Sequence, residues 1–304
     1  MHFHLGLPTD NVAKASEFVT ADAIAEMSQA AEAAGFASVF VTEHPFPEDE
    51  WMRSGGHHAL DPFVALSFAA AATSTIKVMT FLCVVPYRNP FITAKAALSV
   101  HVLSGERLIL GVGAGYLEPE FNALGVDFSE RNELFDEGLV AMKRAWAEDG
   151  VEMTGRHFVA RGHTMLPHPK AAPPIWVGGN SKRAIRRAID LCDGWVPMPY
   201  PRELGNRRRS AFLETIDDLK AMLAYADGYR EETGATGRFD VVAMPFVPSS
   251  PAFPGYDKAR LIDHIGELRE LGVVGIAAHA PADTRAGVID RIAEFGAEII
   301  AAVE

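Results

Sequence analysis

The stretch Pro173–Ala184, PPIWVGGNSKRA, sets the pattern by which the rest of the chain is read. Two prolines stop any helix arriving from upstream, and Ile175-Trp176-Val177 has the composition of a short buried strand. Gly178 and Gly179 let the backbone turn tightly, and Asn180-Ser181 is a helix-starting pair. The helix then opens KRAIRR, four cations in six residues. A glycine turn entering a helix N-terminus presents unpaired N–H groups and the positive end of a dipole, so an anion such as phosphate suits it. The same residues also read as an ordinary strand-to-helix turn with a solvated basic face.

The strand–turn–helix unit recurs along the chain. Strands are expected at Phe3–Pro8, Ser38–His44, Ile76–Val85, Arg107–Gly115, Pro173–Gly179, Gly194–Met198, Asp240–Phe246 and Val273–Ala280. Helices are expected near Ala21–Ala34, from Asp61-Pro62, over Pro90–Leu103, Ser129–Glu148, from Ser181 to about Leu191, Arg209–Thr233, Asp257–Leu271 and at the end. The helix near Ser129–Glu148 places Phe135, Leu139, Met142 and Trp146 on one apolar stripe. Eight such units predict an α/β fold, a (β/α)8 TIM barrel, as one domain over residues 1–304 with an insertion near 147–173. Barrel chemistry gathers at the C-terminal strand ends. That rule selects Glu43 and His44, Val85 to Asn89, Gly113 to Tyr116, Gly178 to Ser181, Met198 to Tyr200, and His279.

The net charge of −12 argues against nucleic acid or a membrane surface as partner. No apolar run is long enough to span a bilayer, and MHFHLGLPTD has no signal-peptide pattern. Cys83 and Cys192 sit in apolar stretches and read as free thiols in a reducing compartment. A cytoplasmic protein is expected.

Four constellations remain. His2 and His4 share one strand face, as metal ligands can, but they open the strand rather than end it, and no metal is expected. Gly111 to Gly115, GVGAG, gives only part of a dinucleotide fingerprint and falls in the fourth unit; its glycines read better as keeping the mouth clear for a flat ring. His44, in TEH, is the best proton-transfer group, with Glu43 beside it to raise its pKa; the alternative is a core histidine bonded to a carbonyl. His57 and His58 lie in a polar loop that, with Trp51, reads as substrate-side.

The chain resembles the luciferase-like monooxygenase superfamily of flavin- and deazaflavin-dependent barrels. The resemblance rests on FASVFVTEH, PYRNPFITAKAALSVHVLSGERLILGVGAGYLEPEFNALGVDFSERNELFDEGL and PPIWVGGNSKRAIRRAIDLCDGW, and its phrases are most similar to the branch using coenzyme F420, a 5-deazaflavin. It implies that Gly178, Gly179, Asn180 and Ser181 hold a cofactor phosphate, with Lys182 and Arg183, beside Arg186 and Arg187, toward its anionic tail. Arg207-Arg208-Arg209 is a second tail-binding candidate. It implies a non-prolyl cis peptide near Phe81-Leu82 behind the ring, with Gly113 and Gly115 alongside, although Phe81 is bulky where relatives often carry a small residue. It makes His44 the favoured base. Related sugar-phosphate dehydrogenases carry a glutamate at the position of Tyr116 and an aromatic residue at that of Glu48, so sugar-phosphate oxidation is disfavoured and Tyr116 joins His44 as a catalytic candidate. The implied activity is hydride transfer between F420 and a small organic substrate, with reduction of an activated C=C or C=O suiting a phenol and an imidazole. The alternatives are a two-component monooxygenase using FMN and a non-catalytic flavin-binding paralogue. A homodimer, and a reductase supplying reduced coenzyme, are the implied partners. Substrate choice falls to the loops Pro45–Leu60 and Pro248–Tyr256 and to the insertion.

Overall fold

Alternation along each strand sends one side chain inward and the next outward, and here both directions are buried. The strands β1 (His2–Gly6), β2 (Ser38–Val41), β3 (Lys77–Val84), β4 (Leu108–Gly113), β5 (Ile175–Gly178), β6 (Gly194–Val196), β7 (Asp240–Ala243) and β8 (Gly275–His279) pair in parallel and close into a barrel. Closure is made by β1, whose His2 to Gly6 register with Gly275 to His279 of β8. The structure is a computed structural model describing residues 1–204 and 211–303. Each strand is followed by a helix: α1 (Ala21–Ala33), α2 (Pro62–Ala72), α3 (Pro90–Leu103), α4 (Arg131–Ala147), α5 (Lys182–Leu191), α6 (Ile216–Thr233), α7 (Lys258–Glu270) and α8 (Arg285–Phe295). This is the expected (β/α)8 TIM barrel.

Inward residues of β2 to β8 form one cluster: Phe40, Met79, Phe81, Ile109, Trp176, Val196, Val242 and Ala277. Phe40 stacks on Phe81 with centroids 4.3 Å apart, and the buried His4 ring meets Trp176 edge-on at 5.4 Å. Outward residues meet the helices, and the predicted stripe Phe135, Leu139, Met142 and Trp146 lies on that inner side of α4, wholly buried. Side-chain caps start the helices, among them Thr20 on α1, Asp61 before Pro62, Asn89 before Pro90, and Ser181 on α5.

The boundaries differ from expectation mainly at the mouth. Strand pairing ends at Val41 rather than His44 and at Ala243 rather than Phe246, where the chain leaves the sheet and turns into loops. α4 starts at Arg131, after a 3-10 turn over Phe128–Glu130. α6 starts at Ile216, where Thr215 and Asp218 form a reciprocal capping box. The candidate patch Arg207-Arg208-Arg209 lies outside the described residues. Between α4 and β5, Val151–Thr154 and Val159–His163 form an antiparallel hairpin.

At the opposite end of the barrel, Glu32 of α1 reaches the turn entering β3. Its carboxylate accepts N–H bonds from Ser74 (3.0 Å) and Ile76 (2.9 Å) and the Thr75 hydroxyl (2.8 Å). Slight burial resists ionisation, but these donors outweigh it and bring the pKa down to about 2. Because that pKa is depressed, the stabilisation exists above the ordinary carboxylate pKa and is lost as pH falls toward about 2. Glu32→Gln should lower unfolding stability at neutral pH by roughly 1 kcal/mol, discounted for solvent screening. Denaturant midpoints of the two chains should converge between pH about 4.5 and about 2; a gap independent of pH would contradict this role.

Candidate active site

Two adjoining cavities open at the C-terminal mouth of the barrel and share Tyr116 and Tyr200. The first, about 220 Å³, is floored by Leu82 and walled by Gly113 to Tyr116 and Gly178 to Ser181, with Arg131 and Arg187 among its lining. The second, about 760 Å³, lies toward solvent and is lined by Trp51, His57, Glu48 and Glu118 among others.

The floor follows from a break in strand pairing. β3 registers with β4 up to Thr80, shifts, and resumes at Cys83. The Phe81–Leu82 peptide in that interval is cis, at the position the sequence indicated. Phe81 turns into the barrel core, whereas Leu82 lines the cavity. A Cβ on Gly111, Gly113 or Gly178 would lie 3.2, 3.5 or 2.0 Å from the Leu82 side chain. Leu82 takes up that space at Gly178, the Thr80 carbonyl takes it at Gly111, 2.1 Å from the Cβ position, and Gly113 is in ordinary contact with Leu82 while lining the first cavity. Gly115 needs its glycine for a different reason: its φ is +78°, and a Cβ would meet Phe121 at 2.6 Å.

The loop after β5 is braced. Asn180 is buried, and its amide donates to the carbonyls of Met198 (2.7 Å) and Ala211 (2.9 Å) while its oxygen accepts the Met198 N–H (2.8 Å). Its side chain supports the loop, while the residue itself lines the first cavity, where the resemblance implied that backbone amides would meet a phosphate. Ser181 Oγ caps α5 by accepting the Ala184 N–H. The earlier N–H groups of the first turn have no partner within a helix and point at the cavity end.

Helix geometry sorts the four cations. Lys182 lies over the Tyr225 ring, Arg186 donates to the Tyr225 hydroxyl, and Arg183 pairs with Asp136 at 3.0 Å. Neither Lys182 nor Arg183 lines the first cavity, whereas Arg187 and Arg131 do. Arg187 is buried, paired with Asp136 and donating to Asn132 Oδ1 at 3.0 Å.

His44 is buried behind residues that line the cavities, Tyr116 of both and Trp51 and His57 of the second. Its Nε2 is 3.4 Å from the Tyr116 hydroxyl, and its ring lies 4.4 Å from Trp51 and 4.9 Å from His57 by centroid. His44, Tyr116, Trp51 and His57 thus form one group. His58 does not join it: the residue is exposed, and its backbone carbonyl receives His57 Nδ1. Glu43 is also not the acid that serves His44. It faces the other way, into an ion pair with Arg88 and the Val84 N–H at 2.6 Å. His279 packs edge-on to Phe40, and burial lowers its pKa.

The carboxylate beside His44 is Glu120, which sequence reasoning missed. It is fully buried on a short helix, Glu118–Ala123, with Oε2 3.1 Å from His44 Nδ1 and 2.7 Å from the Tyr87 hydroxyl. Its Oε1 accepts the Phe46 N–H at 2.9 Å. Burial opposes ionisation, but the contacts from His44, Tyr87 and Phe46 outweigh it, so Glu120 titrates below the ordinary carboxylate range. Burial, then Glu120, raises the Tyr87 phenol pKa. An imidazole backed by a carboxylate, beside a phenol and above a backbone-walled, cation-edged cavity, is equipped to move a proton on a bound organic molecule.

Among the described residues no helix is long and apolar enough to cross a membrane. An F420-dependent hydroxymycolic acid dehydrogenase of Mycobacterium tuberculosis is 28% identical, over 68% of this chain and 53% of its own length. An F420-dependent glucose-6-phosphate dehydrogenase of Intrasporangium calvum is 26% identical, over 89% of this chain and 91% of its own. The crystal structure of monooxygenase RslO1 from Streptomyces bottropensis superposes over 100% of both chains with a TM-score of 0.80 at 18% identity, sharing the fold. Residues 1–247 match the luciferase-like monooxygenase family, and with most of its length matched the chain belongs to that family.

Proposed function

We propose that this enzyme is an F420-dependent oxidoreductase that transfers a hydride to or from a small organic substrate. The observation carrying the proposal is the first cavity: an apolar Leu82 floor, backbone walls, and the α5 N-terminus with Arg187 and Arg131 at one end. That donor set suits a flat ring joined to a phosphate. When bound, a deazaflavin supplies a carbon-centred hydride donor or acceptor that lacks the nitrogen through which reduced flavins react readily with oxygen. The protein's own residues then orient the substrate in the larger cavity, exclude water with Trp51 and Tyr200, and handle its proton at His44 Nε2 and the Tyr116 hydroxyl. The two F420-dependent relatives favour this cofactor, and the fold shared with RslO1 keeps an FMN monooxygenase as the second reading.

A fluorescence titration with oxidised F420 and, separately, with FMN tests the cofactor. F420 should bind at least tenfold more tightly, and turnover should not consume oxygen; FMN preference with oxygen uptake would establish the second reading. Arg187→Ala should weaken F420 binding about tenfold or more, while Lys182→Ala should change it less than twofold. The reverse order would return the phosphate contacts to the start of the helix.

We infer a homodimer through α2 and α3. Val64 and Phe68, one turn apart on α2, are 58% and 49% exposed, and Ile92 on α3 is 65% exposed. Phe68→Asp with Ile92→Asp should halve the mass measured by sedimentation; a monomeric wild type would remove the basis for this interface.

A further inference from the structure

We propose that Glu120, held by Tyr87 and the Phe46 amide, is a positioning residue that fixes His44 as its Nδ1–H tautomer and makes Nε2, on the Tyr116 side of the ring, a proton acceptor. The inference deepens the functional reading above and rests on His44 being its proton-handling group.

The argument begins with what each atom can do. An ionised carboxylate only accepts hydrogen bonds. Glu120 Oε1 receives the Phe46 N–H, a group that can only donate, at 2.9 Å. Oε2 receives the Tyr87 hydroxyl at 2.7 Å and lies 3.1 Å from His44 Nδ1. That last contact is a hydrogen bond only when the proton sits on Nδ1. A neutral imidazole carries one proton, so Nε2 is then bare. Nε2 is the nitrogen 3.4 Å from the hydroxyl of Tyr116, a residue that lines both cavities.

The groups around the ring do not compete for Nδ1. Trp51 and His57 meet it through ring contacts, Tyr116 meets Nε2, and His57 Nδ1 is turned to the His58 carbonyl with Asp10 4.0 Å away. Glu43, the next residue in sequence, is committed to Arg88. Glu120 also pins the main chain two residues past His44 through Phe46, so one buried carboxylate sets both the ring and the loop carrying it. Tyr87 stops the carboxylate from turning away. Its hydroxyl can donate or accept, which gives the arrangement a specific test.

In Glu120→Gln the fixed Phe46 donor selects the amide orientation. The Gln oxygen must face the Phe46 N–H, which places the NH2 against His44 Nδ1 and the Tyr87 oxygen. An NH2 at that point donates to a bare Nδ1 and drives the proton to Nε2. The isosteric substitution should therefore invert the tautomer, whereas a purely space-filling role for Glu120 would leave it unchanged.

The experiment is long-range proton–nitrogen NMR of the full chain with ¹⁵N-labelled histidine, recorded above pH 8 so that ordinary imidazoles are neutral. His44 is assigned from the one set of signals lost in His44→Gln. The wild type should show a protonated Nδ1 and a bare Nε2, and Glu120→Gln should show the two nitrogens exchanging chemical shifts. A wild-type Nε2–H tautomer, or an unchanged tautomer in folded Glu120→Gln, would overturn the proposal. Should Glu120→Gln fail to fold, the wild-type spectrum decides: Nδ1–H sustains the proposal and Nε2–H ends it. Coenzyme binding is read separately on wild type, since Glu120 does not line the first cavity. An error about F420 therefore appears in the titration and an error about Glu120 in the spectrum.

Discussion

Eight parallel strands can close only around an interior filled by side chains, and the way this interior is filled governs everything above it. The Phe40–Phe81 stack and Trp176 occupy the axis at one level. Directly above, the shift in β3 pairing after Thr80 delivers Leu82 to the mouth, and the glycines of β4 and β5 give way to it. The glycine-rich strands and the interrupted strand are thus one packing solution. A side chain at Gly178 would require Leu82 to leave, and losing Leu82 would remove the floor on which a flat ligand rests.

The same geometry explains why proton chemistry is assembled from distant segments. Past a strand end, consecutive residues part company: Glu43 goes to Arg88 and His44 to Tyr116 at the mouth. The histidine must then find its carboxylate elsewhere, and Glu120 reaches it from beyond β4, 76 positions along the chain. The phenol that steadies the carboxylate comes from beyond β3. Three successive βα loops meet at one buried oxygen pair, and the parallel barrel makes that possible by placing every such loop at one end.

Much of the architecture was legible because periodicity reports it directly. The eight units, the apolar stripe of α4 and the strand ends carrying His44, Gly113 and Gly178 all follow from short-range pattern. The cis bond was located through the family resemblance. Glu120 left no such trace, since a helix of six residues has no periodicity to assign a face. The cations of α5 look equivalent in KRAIRR, yet helical rotation lets only Arg187 reach the cavity, one turn after Ala184, which also lines it. That spacing was available as a signal; the Asp136 carboxylate on α4 that engages both Arg183 and Arg187 was not. The bracing role of Asn180 was equally invisible, because the two carbonyls and the amide that engage its side chain come from residues 18 and 31 positions further along the chain.

The bracing of the loop after β5 has a thermodynamic consequence. Gly179 donates its N–H to the Val196 carbonyl, its own carbonyl accepts the Trp195 indole N–H at 2.8 Å, and Asn180 ties the next position to Met198 in both directions. A loop fixed in this way surrenders little conformational freedom when an anion arrives, because folding has already ordered it. Recognition at that end is therefore rigid, and an ill-fitting headgroup gains nothing from adjustment. Selectivity there is set by the shape of the folded backbone before any guest is met.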